Sequence, residues 1–335
     1  MTATASLTAW QFVLLSAGVS TAVAGAWWRF ARHRVLDQPD ARRLHQVPTA
    51  RGGGLGIAVV LLAATPWLGQ GGAAFALGLA VTAGAGFIDD LRPLPALPKL
   101  LLQALGALPV ALAWPLLPSL LGPVTGAALA WLLVVSLVNI WNFMDGSNGL
   151  AATQALLFGA AMALLAGLAT PAAWLGLALA AGALGFLPWN LPRARLFLGD
   201  VGSHALGYAV AALSLLALSG APGIEPWQPL LLASAFLVDA GLTLLRRFAR
   251  GEKVWQAHRE HLYQRAIAHG ASHGQVCLAY AAWTGVAIAL AAWLVPMGTA
   301  VAWSVTLGWL ISGIIWHVLG GRRWPPTDSR HGKEA

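Results

Sequence analysis

Long apolar segments alternate with short polar ones along the whole chain, and the apolar runs reach the roughly 17 to 25 residues that cross a bilayer as a helix. The Ala-, Leu- and Gly-rich runs do not alternate as the strands of a membrane barrel do. We therefore predict an all-α integral membrane protein, a bundle of about eleven transmembrane helices. The predicted spans are 7–28, 53–69, 73–88, 98–117, 122–141, 150–168, 171–188, 204–220, 227–245, 275–295 and 298–318.

This topology places all positive charge on one side of the membrane. The 20 Lys and Arg residues fall in 29–51, 92–99, 193–195, 246–265 and 322–333. The positive-inside rule makes that side cytoplasmic, with the N-terminus outside and the C-terminus in the cytoplasm. The net charge of +8 therefore sets topology and does not indicate a nucleic-acid partner. The hairpin 53–88 is decisive, because a single span there would place Asp89 and Asp90 opposite the other polar motifs.

Composition predicts one polytopic domain, residues 1–320, followed by a disordered cytoplasmic tail, 321–335. Hydrophobic residues make up 58% of the chain and charged residues only 10%, against roughly 25% charged residues in ordinary globular proteins. The first segment has no basic region before it, which favours a retained span over a signal peptide. A lone Cys277 excludes a disulfide framework and a Cys-rich metal site. The cytoplasmic loops are 29–52, 89–99, 142–149, 189–204 and 246–274.

Three polar motifs interrupt the apolar pattern, each at the end of a predicted span: Gly86–Asp90, Asn142–Gly149 and Phe197–Ser203. A carboxylate costs about 2.5–3.5 kcal/mol at the centre of a membrane helix. Four carboxylates gathered at one membrane face therefore suggest a site that holds a metal ion.

Each motif also has a plainer interpretation. Asp89 and Asp90 could be helix-end acids solvated at the headgroup level. Asp-Gly and Asn-Gly form turns, which explains Asp145 and Asn148. It does not explain Asn139 and Asn142, which lie three residues apart on one helix face. Together with Asp145 and Asn148 they make an oxygen-bearing stripe that a buried bundle would not tolerate without a ligand.

Asp200 and Ser203 could cap the following helix. With Arg193 and Arg195 nearby, they also suit a metal ligand beside cations that bind phosphate.

Basic residues on the same predicted face suit phosphate groups. Arg51 precedes three glycines, whose backbone N–H groups could approach an anion; lipid contact explains most other arginines there. Lys99 begins the fourth span. On a helix His258, His261 and Arg265 would share a face, and with Arg259 they favour phosphate binding over metal ligation. Asp239 is predicted to form an ion pair with Arg246 inside the bundle, and His317 to be structural.

Together the motifs resemble those of the polyprenyl-phosphate N-acetylhexosamine-1-phosphate transferases, glycosyltransferase family 4. This group includes the phospho-MurNAc-pentapeptide translocase and the initiators of O-antigen and teichoic-acid synthesis. The resemblance runs from about Asp37 to Arg265. It implies transfer of a sugar 1-phosphate from a UDP-sugar to undecaprenyl or another polyprenyl phosphate in the bacterial inner membrane. UMP would be released, with the active site cytoplasmic and the protein compatible with a homodimer.

The resemblance also implies residue roles. Asp200 would bind Mg²⁺, or Mn²⁺ in its place, with Asn142 as a second ligand. Asp89 and Asp90 would activate the lipid phosphate or position the metal and diphosphate. Contacts with the nucleotide sugar would come from Asp145, Asn148 and a base-stacking Phe197, and contacts with the phosphates from Arg51, Lys99, His258 and Arg259, with His261 catalytic.

Two departures from the family pattern bear on these roles. The family often has Asp where Asn148 stands, and many members carry His-x-His-His where this chain has only His261. The His258–Gln264 pattern resembles the lipopolysaccharide branch, some of which use 6-deoxy sugars such as FucNAc or QuiNAc.

Two other classes of protein compete with the enzyme. A secondary transporter or flippase would suit the many spans and the intramembrane Asp239, but transporters place their polar site near the midplane and often show internal repeats. A non-catalytic scaffold would leave the polar stripe at 139–148 unexplained.

Overall fold

The structure, a computed structural model, describes residues 7–38, 47–253 and 258–325. Parts of loops 29–52 and 246–274 and the predicted tail from 326 lie outside these ranges. Helices make up nearly all of the regular structure. They are α1 Ala9–Ala31, α2 Leu55–Ala63, α3 Gly72–Leu91, α4 Ala96–Ala113, α5 Pro118–Leu121, α6 Pro123–Phe143, α7 Leu150–Ala166, α8 Pro171–Asn190, α9 Gly199–Leu218, α10 Trp227–Leu232, α11 Ser234–Ala249, α12 Leu262–Ala268, α13 His273–Leu294 and α14 Thr299–Arg323.

The all-α membrane fold is confirmed, and every predicted span coincides with a helix or a pair of helices. Within the described ranges, eight helical segments are long and apolar enough to cross a membrane. They are Ala9–Ala31, Thr65–Leu91, Ala96–Ala113, Pro123–Phe143, Pro171–Asn190, Gly199–Leu218, His273–Met297 and Thr299–Arg323. α7 is shorter, and the span predicted at 227–245 is broken at Ala233 between α10 and α11. The number of crossings and the side of each terminus stay predictions.

The hairpin predicted at 53–88 is present. α2 has nine residues and is about 13 Å long at 1.5 Å per residue, and a 3₁₀ segment, Thr65–Gly71, leads from it into α3. Just before α2, Arg51 donates hydrogen bonds to the carbonyl oxygens of Asp89 (3.1 Å) and Asp90 (2.9 Å) at the end of α3. The start of α2 and the end of α3 therefore lie at the same end of the bundle.

α9 is the central helix of the bundle. Every residue from Val201 to Ala217 is buried, as expected of a helix that is apolar on all sides. α2, α3, α6 and α8 pack around it. Gly86 of α3 and Gly54 before α2 touch the backbone of the first turn of α9, where a side chain at either glycine would collide with Asp200 or Gly202. Small residues thus bring three helix ends together at one point.

A two-stranded antiparallel ribbon lies beside this point. β1 (Leu36–Asp37) pairs with β2 (Thr49–Ala50), and Ala50 also bridges to Leu196 before α9. The ribbon fixes the chain that leads into Arg51. At the other end of the sequence, α14 continues to Arg323, three residues into the segment predicted as tail.

Candidate active site

The three polar motifs meet at one end of the bundle, as the sequence predicted. α3 ends with Asp89 and Asp90, α6 ends just after Asn142, and α9 begins just before Asp200. Lys99, in the first turn of α4, reaches the same point. The structure brings these residues together as predicted, and the roles assigned to them stay predictions.

Lys99 lies between two carboxylates. Its Nζ contacts Asp200 Oδ2 closely and lies 3.5 Å from Asp89 Oδ2. The other oxygen of Asp89 accepts a hydrogen bond of 2.7 Å from the backbone N–H of Leu94, which fixes the carboxylate at the helix end. Like charges this close repel, so the position between Asp89 and Asp200 favours a cation.

A chain of polar side chains supports Asp200 from within the bundle. Asn142 Nδ2 donates to Asp200 Oδ1 (3.1 Å), and His204 Nε2 lies 3.9 Å from Asp200 Oδ2. Behind His204, Gln103 contacts the ring at 3.0 Å and accepts a hydrogen bond of 2.9 Å from Asn139. The amide N–H groups of Asn139 therefore bond within the protein. This corrects the inference that every residue of the polar stripe at 139–148 needs a ligand.

Asp90 has a different environment from Asp89. It is only 1% exposed, and its two oxygens accept hydrogen bonds from the backbone N–H groups of Asp200 (3.0 Å) and Val201 (3.1 Å). The residue that caps α9 is thus Asp90 of the neighbouring helix α3. The sequence had suggested Asp200 or Ser203 for this role. Ser203 instead accepts a hydrogen bond of 3.0 Å from Asn142.

Arg51 lines the site, but the glycines after it do not form an anion cradle. The N–H groups of Gly53 and Gly54 donate to the carbonyls of Phe197 (2.9 Å) and Leu198 (2.8 Å). These hydrogen bonds join the start of α2 to the segment before α9. Arg51 Nη1 lies 3.8 Å from Asp37, a carboxylate on the ribbon that sequence analysis missed.

A polar cavity of about 350 Å³ opens beside Asp200. Seven of the predicted site residues line it, namely Arg51, Asp90, Asn142, Asp145, Asn148, Phe197 and Asp200. Sequence analysis missed six further polar residues of its wall, namely Asp37, Ser147, Asn190, Tyr263, Gln264 and His273. Burial raises the pKa of Asp145 well above its usual value, and the negative charges of Asp200, Asp90 and Asp37 raise it further.

Hydrogen bonds hold the turn that carries Asp145 and Asn148. Gly149 N–H donates to the Asn190 side chain, and Tyr263 Oη donates to the carbonyl of Phe143 (2.9 Å). The backbone N–H of Asn148 lies 3.4 Å from His273 Nδ1. These partners come from three later segments of the chain, so only the fold could reveal them.

A second cavity, the apolar groove, adjoins the first. Its volume is about 720 Å³. Leucines from α4 and the loop before it line one wall, and Lys99, His258 and His261 are among the polar residues that line the remainder. Asn142, Phe143 and Gln264 belong to both cavities. The contact between Lys99, in the groove, and Asp200, in the polar cavity, therefore marks their junction.

The segment that carries the histidines differs from the prediction. α12 begins only at Leu262, so 258–261 is not helical, although the rings of His258 and His261 lie 4.8 Å apart. Burial lowers the pKa of His258 to about 3, with further contributions from His261 and Arg247. His258 is therefore a neutral wall residue. Arg259 is half-buried and does not line either cavity.

Two other basic residues make contacts that differ from those predicted. Arg265 does not share a face with the histidines; it donates to the carbonyls of Trp324 (2.6 Å) and Gly321 (2.5 Å) at the end of α14. Arg195 lies over the Trp189 ring, 5.1 Å from its centroid, and does not line the polar cavity.

Asp239 does not pair with Arg246, which lies two helical turns away. It accepts hydrogen bonds from the N–H groups of Leu262 (2.8 Å) and Tyr263 (3.3 Å) and from Tyr280 Oη (2.5 Å), with His317 at 3.3 Å.

The residues around Asp200 fit a magnesium ion. In the described ranges, three or more His, Cys, Asp or Glu side chains do not gather into a metal-binding group. Mg²⁺ needs no such group, because it is commonly held by one or two carboxylates together with phosphate oxygens and water. Asp200 and Asp89 supply two carboxylates on either side of the Lys99 ammonium, and the Asn142 amide lies beside Asp200.

The sequence is similar to those of known proteins. Residues 73–218 match the sequence model of glycosyl transferase family 4. The chain is 32% identical over 300 residues to the decaprenyl-phosphate N-acetylglucosaminephosphotransferase of Mycobacterium leprae, covering 76% of this chain and 75% of that protein.

Two further relatives differ in how much of the chain they cover. The probable undecaprenyl-phosphate N-acetylglucosaminyl 1-phosphate transferase of Bacillus subtilis is 28% identical over 266 residues, or 71% of each chain. The phospho-N-acetylmuramoyl-pentapeptide-transferase of Heliobacterium modesticaldum is 47% identical over 90 residues, or 26% of this chain and 28% of that protein.

Proposed function

The chain belongs to glycosyl transferase family 4, and we propose that it transfers an N-acetylhexosamine 1-phosphate from a UDP-sugar to a membrane polyprenyl phosphate, with release of UMP. The names of its relatives support a polyprenyl phosphate as the acceptor. One observation carries the proposal: a polar cavity and an apolar groove meet at the contact between Lys99 and Asp200. A reaction that joins a water-soluble donor to a lipid needs such a junction.

The polar cavity suits the nucleotide sugar. Small-molecule sites commonly combine an aromatic or apolar wall with a few converging polar groups. Phe197 offers a ring for the uracil, and Asp145 and Asn148 offer hydrogen-bonding groups to the rest of the donor. The pKa of the Asp145 carboxyl is raised by burial and by the nearby carboxylates, and this side chain lies in the wall of the cavity.

The apolar groove suits the isoprenoid acceptor. Its wall includes Leu94, Leu97 and Leu100, and Leu97 and Leu100 are substantially exposed. Lys99 lies among these leucines with its ammonium group at the inner end of the groove. A lipid phosphate held by Lys99 would be next to Asp200 and therefore next to the diphosphate of the donor.

In the reaction, an oxygen of the lipid phosphate attacks the β-phosphorus of the UDP-sugar. A new phosphorus–oxygen bond forms, the bond from the β-phosphorus to the bridging oxygen breaks, and UMP leaves with that electron pair. Asp89 lies beside Lys99 and is placed to accept the proton of the lipid phosphate. A magnesium ion, when bound by Asp200 with Asn142 beside it, would neutralise the diphosphate and stabilise the departing UMP.

A two-step route through a phospho-aspartate needs an accessible carboxylate. Asp90 does not meet that condition, because both of its oxygens are engaged by backbone N–H groups. Asp89 remains the one candidate of the pair, and ping-pong kinetics would be the mark of that route. We propose the direct route, because Lys99 lies between Asp89 and Asp200 at the place where the two phosphates would meet.

The positions of the charged groups also argue against the transporter alternative. Asp89, Asn142 and Asp200 all lie at helix ends, whereas a transporter site lies near the midplane on broken helices. We further propose that this end of the bundle faces the cytoplasm of a bacterial inner membrane. The product would then begin a lipid-linked envelope glycan of the lipopolysaccharide type, as the His258–Gln264 pattern indicates.

The test is UMP release by the purified protein with polyprenyl phosphate, Mg²⁺ and a panel of UDP-sugars. Asp200→Asn should abolish UMP release without lowering the thermal unfolding midpoint. Glu225→Gln, at an exposed acid outside the site, is the matched control and should retain wild-type activity. Wild-type activity of Asp200→Asn would overturn the assignment of the site.

A further inference from the structure

A second group of positive charges lies apart from the candidate active site. A cavity of about 290 Å³ is formed where the ends of α11 and α14 meet α12. Four arginines line it, namely Arg246, Arg250, Arg265 and Arg322, together with a single carboxylate, Glu260. The proposed transfer reaction uses none of these side chains.

The one carboxylate of this arginine cavity is already engaged. Glu260 receives close hydrogen bonds from Arg250 and from Arg247. Within the described part of the chain, Arg246, Arg265 and Arg322 form no ion pair with a carboxylate, although Arg265 donates to the two carbonyls at the end of α14. Among the described residues, no carboxylate thus lies within ion-pair distance of these three guanidinium groups, although Asp239 and Glu260 act on Arg265 from further away.

Two of these guanidinium groups converge on the same point. A methyl group placed on Gly321 would lie 3.5 Å from Arg265 Nη2 and 3.7 Å from Arg246 Nη1. Burial lowers the pKa of Arg265, and the positive charge of Arg246 lowers it further. Two guanidinium groups directed at one point repel each other, and an anion bound between them would offset the repulsion. Arginine is also the side chain best suited to bind phosphate oxygens in pairs.

The position of the cavity indicates where the anion comes from. Arg246 lies in the last turn of α11 and Arg322 in the last turn of α14, the level at which a membrane helix leaves the bilayer. Large apolar side chains next to them are strongly exposed, including Leu245 (61%) and Leu319 (55%). Within the cavity itself, the exposed apolar side chain of Val318 lies together with the guanidinium groups.

We propose that the arginine cavity binds the phosphate of an anionic phospholipid, such as phosphatidylglycerol, from the membrane leaflet at this end of the bundle. Basic residues near a membrane surface each favour anionic lipid, and a cavity adds a defined place for one headgroup. The bound lipid would hold α11, α12 and α14 together. It would also steady the segment just before α12, where His258 and His261 line the apolar groove.

Native mass spectrometry of the full chain in neutral detergent tests the proposal, with phosphatidylglycerol and phosphatidylcholine added in turn. The wild-type protein should retain one phosphatidylglycerol in preference to phosphatidylcholine. The double variant Arg246→Gln, Arg322→Gln should bind phosphatidylglycerol roughly tenfold more weakly or worse, since each basic residue contributes several-fold. Arg265 stays unchanged in this variant because it also holds the end of α14.

Arg323→Gln is the matched control. It removes the same charge from the same turn of α14, but Arg323 lies over the Trp324 ring and does not line the cavity. It should bind phosphatidylglycerol as the wild type does. Equal phosphatidylglycerol affinity in the double variant and the control would overturn the site.

A competition experiment distinguishes a bound lipid from a bound soluble phosphate. Inorganic phosphate at millimolar concentration should not displace the bound phosphatidylglycerol, and full displacement would overturn the assignment to a lipid. The unfolding midpoint of the double variant in neutral detergent should equal that of Arg323→Gln, because neither Arg246 nor Arg322 loses an ion pair. A much lower midpoint would show that the arginines serve folding alone and would also overturn the proposal.

Discussion

Asp90 and Asp200 are joined through a side chain and a backbone: the carboxylate of Asp90 accepts a hydrogen bond of 3.0 Å from the N–H of Asp200. Its second oxygen accepts from Val201 (3.1 Å), so Asp90 caps the first turn of α9 from the end of α3. A carboxylate is favoured at a helix N-terminus, where free N–H groups and the helix dipole attract negative charge. Asp90 therefore holds Asp200 in place, and this favours a positioning role over the catalytic role predicted for it.

The two neighbouring acids should respond differently to amide substitution. In Asp90→Asn one acceptor becomes an NH₂ group facing a backbone N–H, so we expect the free energy of unfolding to fall by about 1.5–3 kcal/mol. In Asp89→Asn an oxygen remains for the N–H of Leu94, so we expect activity to fall with little change in stability. Thermal unfolding and UMP release measured on both variants test this. Unchanged stability of Asp90→Asn would restore the catalytic interpretation.

Lys99 should be essential, because it separates Asp89 from Asp200 and lines the groove. We expect Lys99→Met to lower kcat by roughly 100-fold, the size of effect seen when one group that stabilises transition-state charge is removed. Arg92→Met removes an exposed charge from the same loop and should leave kcat unchanged. If Lys99→Met kept more than half of the wild-type kcat, the proposed junction of the two cavities would not be the reaction centre.

Asp239 should be a stability residue of the C-terminal helices. It is fully buried and bonded to α12 and to Tyr280 of α13, with His317 of α14 beside it. Breaking a buried charged network commonly costs about 3–5 kcal/mol, and we expect a loss of that size in Asp239→Asn. Tyr280→Phe removes a single donor and should cost less. Denaturation in detergent compares the two, and equal costs would argue against a network centred on Asp239.

His258 should make stability depend on pH on the acid side. Its pKa is lowered from 6.5 to about 3 in the folded protein. The unfolded chain therefore binds the proton first as pH falls. The contribution of this group is complete above about pH 6.5 and is lost as pH falls toward 3. We expect the unfolding midpoint of the wild type to fall across this range and that of His258→Gln to fall less. If the unfolding midpoints of the wild type and His258→Gln fell in parallel, that would contradict a half-buried, neutral His258 ring.

Sequence patterns were enough to place the main groups of the candidate site. The apolar periods located the helices, and the charge asymmetry required Asp89, Asn142 and Asp200 to share one end of the bundle. The hairpin 53–88 followed from the same asymmetry, and the bonds from Arg51 to the end of α3 confirm it. Motifs at span ends were informative because a membrane helix has a known length and direction.

Hydrogen-bond partners that are distant in sequence could not be predicted from sequence patterns. Gln103 and His204 lie in largely apolar helices, and nothing in the local sequence shows that they join Asn139 to Asp200. The glycines after Arg51 suggested an anion cradle, whereas Gly54 allows close contact with α9, and the N–H groups of Gly53 and Gly54 bond to the segment before it. The prediction that His258 and Arg265 share a helix face was also wrong. The helix starts after the histidines, and Arg265 donates its hydrogen bonds to the end of α14.

The most direct test of the central claim is to follow the β-phosphorus of the donor. The purified protein would be given polyprenyl phosphate, Mg²⁺ and UDP-N-acetylglucosamine labelled with ³²P at the β-position. We predict that the label enters the lipid as a diphosphate-linked sugar and that the released UMP is unlabelled. Label recovered in UDP would mean that only the sugar is transferred. Labelled donor left intact, across the whole panel of UDP-sugars, would mean that no phosphate is transferred, and either result would contradict the account.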